Sequence, residues 1–217
     1  MPLIFSRYGF YDKGDTLASL LEEPVADFDD RLSCCADCGL WLWRSDEPMD
    51  ELFRCAELSP EQVAAYDAMA SISRRREFLT GATMVSSILG GRLSHHDNGA
   101  PLLIGDERRI SLSHTAELVA MAVDRKPVGV DIEPLSRDMS RVAGRMFSAD
   151  ERAVADDISL WCLKEAAYKA YGHEGIDFRR DIRVSRLDDG RLTVSVSGNT
   201  TEAVCLSFDG MAVAVTV

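Results

Sequence analysis

The chain alternates short apolar runs of period two with longer stretches whose apolar residues recur every three or four positions, punctuated by glycine and aspartate. GLWLWR (39–44) and VGVDIE (128–133) predict short strands, each followed by a polar connection and a helix start. Residues 109–123 predict two strands around a polar turn, and residues 204–217 repeat that pattern. The helix starts share a mechanism. Ser59 stands as an N-cap with Pro60 at the first helical position and Gln62 as its capping-box partner, and Ser148 stands likewise before Glu151. Gly90-Gly91 and Gly172 are placed to end the helical regions.

Order repeats as well as pattern. This predicts an α+β fold of two similar α+β halves related by a pseudo-twofold, each an antiparallel sheet packed on a long helix. The expected division is an acidic N-terminal leader over 1–37, an N-terminal half over 38–126 and a C-terminal half over 127–217 that carries the metal site. Differences between the halves then isolate residues that a shared structural role does not explain. His114 follows Ser113 where the C-terminal hairpin has Phe208 after Ser207, and the acids of VGVDIE answer to Trp, Leu and Arg in GLWLWR. The expectation is a composite site that takes His114 from one half and the acids from the other.

Side chains on a strand alternate between faces, so Asp131 and Glu133 share one face, where two carboxylates repel unless a positive charge sits between them. An exposed strand end would account for such spacing, and Asp27 and Asp29 show it in a polar stretch. Asp131 and Glu133 stand instead in a β-branched run, with a glycine before and a proline after. Residues 158–172, ISLWCLKEAAYKAYG, predict a helix capped by Asp156 or Asp157, with Trp161, Glu165 and Lys169 one turn apart on a single stripe. Alone, Glu165 and Lys169 are an ordinary solvated pair. Together with Asp131 and Glu133, Glu165 completes a set of three carboxylates. That is a partial oxygen shell of the kind Mg²⁺ fills with water and ligand phosphates, and Lys169 supplies positive charge for a departing phosphate.

Composition narrows the class. The 217 residues are 46% hydrophobic, enough for a good core. No apolar run approaches membrane length and no basic start precedes one, so a soluble, cytoplasmic chain without membrane association is expected. The net charge of -12 argues against nucleic-acid binding. A polyanionic small ligand requires local cations, for which Arg74, Arg75, Arg76, Lys164, Lys169, Arg179, Arg180 and a bound metal are the candidates. Six irregularly spaced cysteines predict reduced thiols. Zinc at Cys35 and Cys38 would need a second ligand pair, for which His95 and His96 are the candidates.

SLSHT, VGVDIE and WCLKEAAYKA, in that order, resemble the 4'-phosphopantetheinyl transferases of the larger, pseudodimeric (Sfp-type) class. The resemblance is good over residues 98–172 and looser over the helix at 74–79 and the final hairpin. It implies transfer of the 4'-phosphopantetheine arm of coenzyme A to a serine of an apo-acyl or peptidyl carrier protein, releasing adenosine 3',5'-bisphosphate, by a monomer. By matching motif positions, Asp131, Glu133 and Glu165 are implied to hold Mg²⁺, or Mn²⁺ in its place. Glu165 is also implied as a base toward the serine hydroxyl, and Lys169 as the group that stabilises or protonates the leaving phosphate. Lys164 is implied close to the same phosphates, His114 at the 3'-phosphate, and Ser113 as an added hydroxyl contact. The usual Gly-Lys-Pro is here Gly99-Ala100-Pro101, so a nucleotide-holding lysine is missing. Arg75, Arg108 and Arg109 are the candidates to replace it. Carrier proteins are acidic, so a chain at -12 needs a local basic or apolar patch to meet one. Two rivals remain: a non-catalytic relative that binds coenzyme A or a carrier domain, and an unrelated Mg²⁺-dependent phosphate hydrolase.

Overall fold

The structure, a computed structural model, describes residues 2–6, 9–12, 39–116, 118–208 and 210–217. It divides into two compact units, Met1–Arg125 and Lys126–Val217, each built of helices and antiparallel sheet. No helix among the described residues is long and apolar enough to cross a membrane.

The first unit holds β1 (Pro2–Ser6), β2 (Gly9–Asp12), β3 (Gly39–Arg44), β6 (Arg109–His114) and β7 (Leu118–Asp124) in one sheet of order β2-β1-β3-β7-β6. Residues 2–6 and 9–12, expected in a leader, thus extend this sheet, with Pro2 opposite Trp43 and Leu3 opposite Leu42. The short pair β4 (Leu93–His95) and β5 (Pro101–Leu103) stands apart from it. Trp41, Trp43, Val119, Met121 and Val123 bury one face of the sheet with Met84 and Val85.

Those last two belong to the helical part of the unit: α1 (Met49–Cys55), α2 (Pro60–Ala68) and α3 (Ile72–Met84). The predicted cap at Ser59 forms with both of its reciprocal bonds to Gln62. Ser71 caps α3 by accepting from Arg74 N. Beyond Met84 the helix widens into a π-helical turn, Val85–Leu89, and closes at Gly90, whose φ of 63° is the left-handed conformation glycine adopts without strain.

The second unit holds β8 (Val130–Pro134), α4 (Ser140–Met146), α5 (Ala149–Arg152), α6 (Asp157–Tyr171) and β9 to β12 (Ile182–Arg186, Leu192–Val196, Asn199–Phe208, Met211–Thr216). Its sheet has the order β8-β12-β11-β10-β9. In each unit, therefore, the strand before the helices pairs with the last strand of the hairpin: β3 with β7, and β8 with β12. Asp156 caps α6 by accepting from Ile158 N and Ser159 N, and Ser148 forms its capping box with Glu151. Leu160, Cys162, Leu163, Ala166 and Ala167 pack α6 against Ala212 and Ala214 of β12. Asp131 lies opposite Ala214 and Glu133 opposite Ala212, so both acids share the sheet face that α6 covers.

Gly129 decides how closely β8 and α6 approach. A Cβ there would lie 1.8 Å from the Ala166 carbonyl oxygen, a position backbone cannot share. Gly129 N donates to Thr216 Oγ1 at 2.8 Å and Thr216 N donates to Gly129 O at 3.0 Å, which fixes the glycine under the helix.

Candidate active site

The close contact at Gly129 brings β8 against the stripe of α6 that carries Glu165 and Lys169. Lys169 Nζ donates to Asp131 Oδ1 at 2.8 Å and to Val130 O at 2.9 Å. Asp131 is 5% exposed, whereas Lys169 reaches it from the solvent side of the helix. Glu165, one turn before Lys169, is half-buried. Burial, and then the charge of Asp131, raise its carboxyl above the usual glutamate range, while Lys169 and Arg137 act in the opposite sense.

Two carboxylates that repel each other, one of them with raised proton affinity, are a donor set that a hard divalent cation fits. Among the described residues no three His, Cys, Asp or Glu side chains stand together as a metal-holding group. Of the three acids expected to do so, Glu133 is engaged elsewhere. It pairs with Arg137 and accepts from Trp161 Nε1 at 3.2 Å. Trp161 stacks on Phe178, and Phe178 meets Tyr168, which places an aromatic ridge along the Glu165 side of α6.

Lys164 occupies a different place from the one expected. Its ammonium is fully buried and donates to the carbonyls of Met146, Phe178 and Ile182 at 3.0, 2.8 and 2.8 Å, with Glu151 Oε1 at 2.8 Å. Four oxygens saturate it, so it is a structural cation of the core rather than a phosphate contact. Burial pushes the Glu151 carboxyl up, but Lys164 and the backbone amides of Ser148 and Val184 outweigh this and hold it below the usual range. Cys162 and Cys205 are free thiols whose burial raises their proton affinity, Cys205 to about 11, so neither is reactive. Cys34, Cys35 and Cys38 lie outside the described residues.

In the first unit, His114 lines a cavity of about 290 Å³ together with Arg74, Glu77, His95, Gly99 and Pro101. His114 Nε2 is 3.3 Å from Glu77 Oε2. Ser113 is buried on the opposite face of β6, so it does not share the histidine's surroundings. Arg75 is spent on structure. Its Nε donates to Met69 O at 2.7 Å, its guanidinium donates to Asp67 O at 3.0 Å, and it lies 5.2 Å from the centre of the Tyr66 ring. Arg76 likewise donates to Ser45 O and Glu47 O, and Arg108 pairs with Asp106. Of the three consecutive arginines it is Arg74, and not Arg75, that lines the cavity with His114.

Residues 127–216 match the family described as the 4'-phosphopantetheinyl transferase superfamily. The 4'-phosphopantetheinyl transferase HetI of Nostoc sp. is 30% identical over 174 residues, covering 67% of this chain and 73% of that protein. The 4'-phosphopantetheinyl transferase psf-1 of Bacillus pumilus is 36% identical over 107 residues, 44% of this chain and 45% of that one. A 4'-phosphopantetheinyl transferase of Bacillus subtilis is 31% identical over 114 residues, 48% of this chain and 50% of that one. The chain thus spans about half the length of the two Bacillus relatives. The crystal structure of Helicobacter pylori holo-[acyl-carrier-protein] synthase (AcpS) in complex with coenzyme A is similar at 23% identity and a TM-score of 0.36, over 42% of this chain and 97% of that one. A likeness that slight carries no argument.

Proposed function

The chain belongs to the 4'-phosphopantetheinyl transferase superfamily, and from that premise we propose that it transfers the 4'-phosphopantetheine arm of coenzyme A to a serine of an apo-carrier protein. The observation that carries this reading is the Lys169–Asp131 ion pair beside Glu165, built from the two motifs the family match spans. Glu165 takes the proton of the serine hydroxyl. The serine oxygen bonds to the β-phosphorus as the bond to the oxygen bridging toward the α-phosphate breaks. Lys169 then donates to the departing adenosine 3',5'-bisphosphate.

Asp131 and Glu165 would hold Mg²⁺, or Mn²⁺ in its place, which when bound neutralises pyrophosphate charge; Glu133 is the third candidate ligand. His114 and Arg74 hold a phosphate of coenzyme A, with Arg74 in the part left open by Ala100. A pseudo-twofold relation of the two units, a monomeric state and a cytoplasmic setting belong to the same proposal and rest on the sequence alone.

Mass spectrometry of an apo-carrier protein incubated with the chain, coenzyme A and Mg²⁺ tests the reading. The expected result is a phosphopantetheine adduct on the carrier serine. Absence of the adduct across acyl and peptidyl carriers, with coenzyme A still bound, would replace the transferase with a binding module.

A further inference from the structure

Asp131 already has an internal cation in Lys169, and Glu133 has a separate one in Arg137, backed by an indole. Arg137, four residues on, pairs with its carboxylate, and the same guanidinium lies 5.0 Å from the centre of the Trp161 ring. Trp161 Nε1 donates to Glu133 Oε1, so acid, arginine and indole form a closed set. Backbone presents the arginine in this position. Arg137 N donates to Pro134 O at 3.0 Å, closing the turn after β8, and Leu135 N donates to Gly210 O at 2.9 Å. The Glu133 side chain is 19% exposed and that of Arg137 38%, so the pair is open to water on the arginine side and its pull on the acid is partly screened. An internal cation therefore stands where an external one is proposed to bind.

Resting on the reading of Asp131 and Glu165 as a divalent-cation site, we infer that Arg137 is a positioning residue that keeps Glu133 out of the metal shell in the substrate-free protein. A guanidinium and a divalent cation compete for one carboxylate, and each binds at the other's expense. The metal alone then meets Glu165 and an Asp131 still paired with Lys169. Such a site suits a cation that takes its remaining ligands from water and a diphosphate substrate.

The test is titration of the full chain with Mn²⁺ alone, following free Mn²⁺ by electron paramagnetic resonance. The proteins compared are the parent, Arg137→Gln, Glu133→Gln and the double variant. Arg137→Gln is expected to bind Mn²⁺ about threefold to fivefold more tightly than the parent. Glu133→Gln should stay close to the parent, and the double variant should show no gain over Glu133→Gln. Trp161→Phe removes the ring and the indole donor without changing any charge, and should shift affinity in the same direction as Arg137→Gln. A gain of equal size without Glu133 overturns the inference, because the arginine would then act through space. Equal affinity of parent, Arg137→Gln and Trp161→Phe overturns it while leaving the metal reading intact. Absence of Mn²⁺ binding in all of these proteins, with and without coenzyme A, overturns both.

Discussion

Glu165 is the residue on which the proposed chemistry turns, and its environment opposes its own charge. Burial and the nearby Asp131 both favour the protonated form, whereas Lys169 and Arg137 only partly offset them. The folded value therefore lies above the unfolded one. In metal-free protein, the stability gained by protonating Glu165 is complete below the ordinary glutamate value of 4.5 and is lost as pH rises through the raised folded value. Glu165→Gln should consequently be more stable than the parent near neutral pH in the absence of metal, measured as Tm, with the two curves converging in acid. The same variant should lose transfer by about 100-fold or more if Glu165 is the base. Full activity in Glu165→Gln would remove it from the mechanism. Higher stability with lower turnover is what a functional charge in an unfavourable place produces.

At the scale of elements, two contacts place α6, and each has its own consequence. Gly129→Ala would force β8 off the Ala166 carbonyl and so separate Asp131 from Lys169. The Glu151–Lys164 pair pins α6 to the start of α5 and to β9, through Ser148 N, Val184 N and Ile182 O. Removing Glu151 leaves a buried ammonium without its counter-ion, so Glu151→Ala should cost about 3–5 kcal/mol in denaturant unfolding. A loss below about 1 kcal/mol would show that the three carbonyls suffice. Caps and strand pattern made much of this legible in advance: Ser59, Ser148 and Asp156 all cap where local chemistry placed them. The face of Lys164 is also present in the pattern: Leu160, Lys164, Ala167 and Tyr171 follow helical spacing on the stripe of Leu163, so period places Lys164 toward the core while its charge by itself favours solvent. Three consecutive arginines, by contrast, differ by a rotation of about 100° each, so which one faces a cavity depends on packing that residues 74–76 do not encode themselves. The pairing of β1 with β3 and the π-helical turn depend likewise on tertiary partners.

For the whole molecule, the net charge of -12 conceals an uneven distribution. Lys126–Val217 holds 12 of the 24 Lys and Arg residues but only 15 of the 36 Asp and Glu, so most of the excess acid lies before it. Within this second unit, Arg141, Arg145, Arg179, Arg180 and Arg183 are all exposed. Arg179 donates to Gly144 O at 2.9 Å, which ties the turn after α6 to α4; Arg145 donates to Arg141 O on α4, and Arg183 donates to Arg180 O beside Arg179. Phe178, next to Arg179 in the chain, belongs to the aromatic ridge beside Glu165. Under the proposed reading these arginines, with Asp177 paired to Arg180 among them, are the local cations that meet an acidic carrier protein beside the proposed chemistry. Electrostatic steering acts on encounter more than on the chemical step. Reversing Arg145 and Arg180 to glutamate should therefore raise KM for the carrier about tenfold, with kcat and the KM for coenzyme A nearly unchanged. Raising ionic strength should weaken the parent toward the variant, since at 0.15 M salt charges more than about 8 Å apart are screened. If the double reversal lowers kcat instead, or leaves the salt dependence as steep as in the parent, this patch is not where the carrier is met.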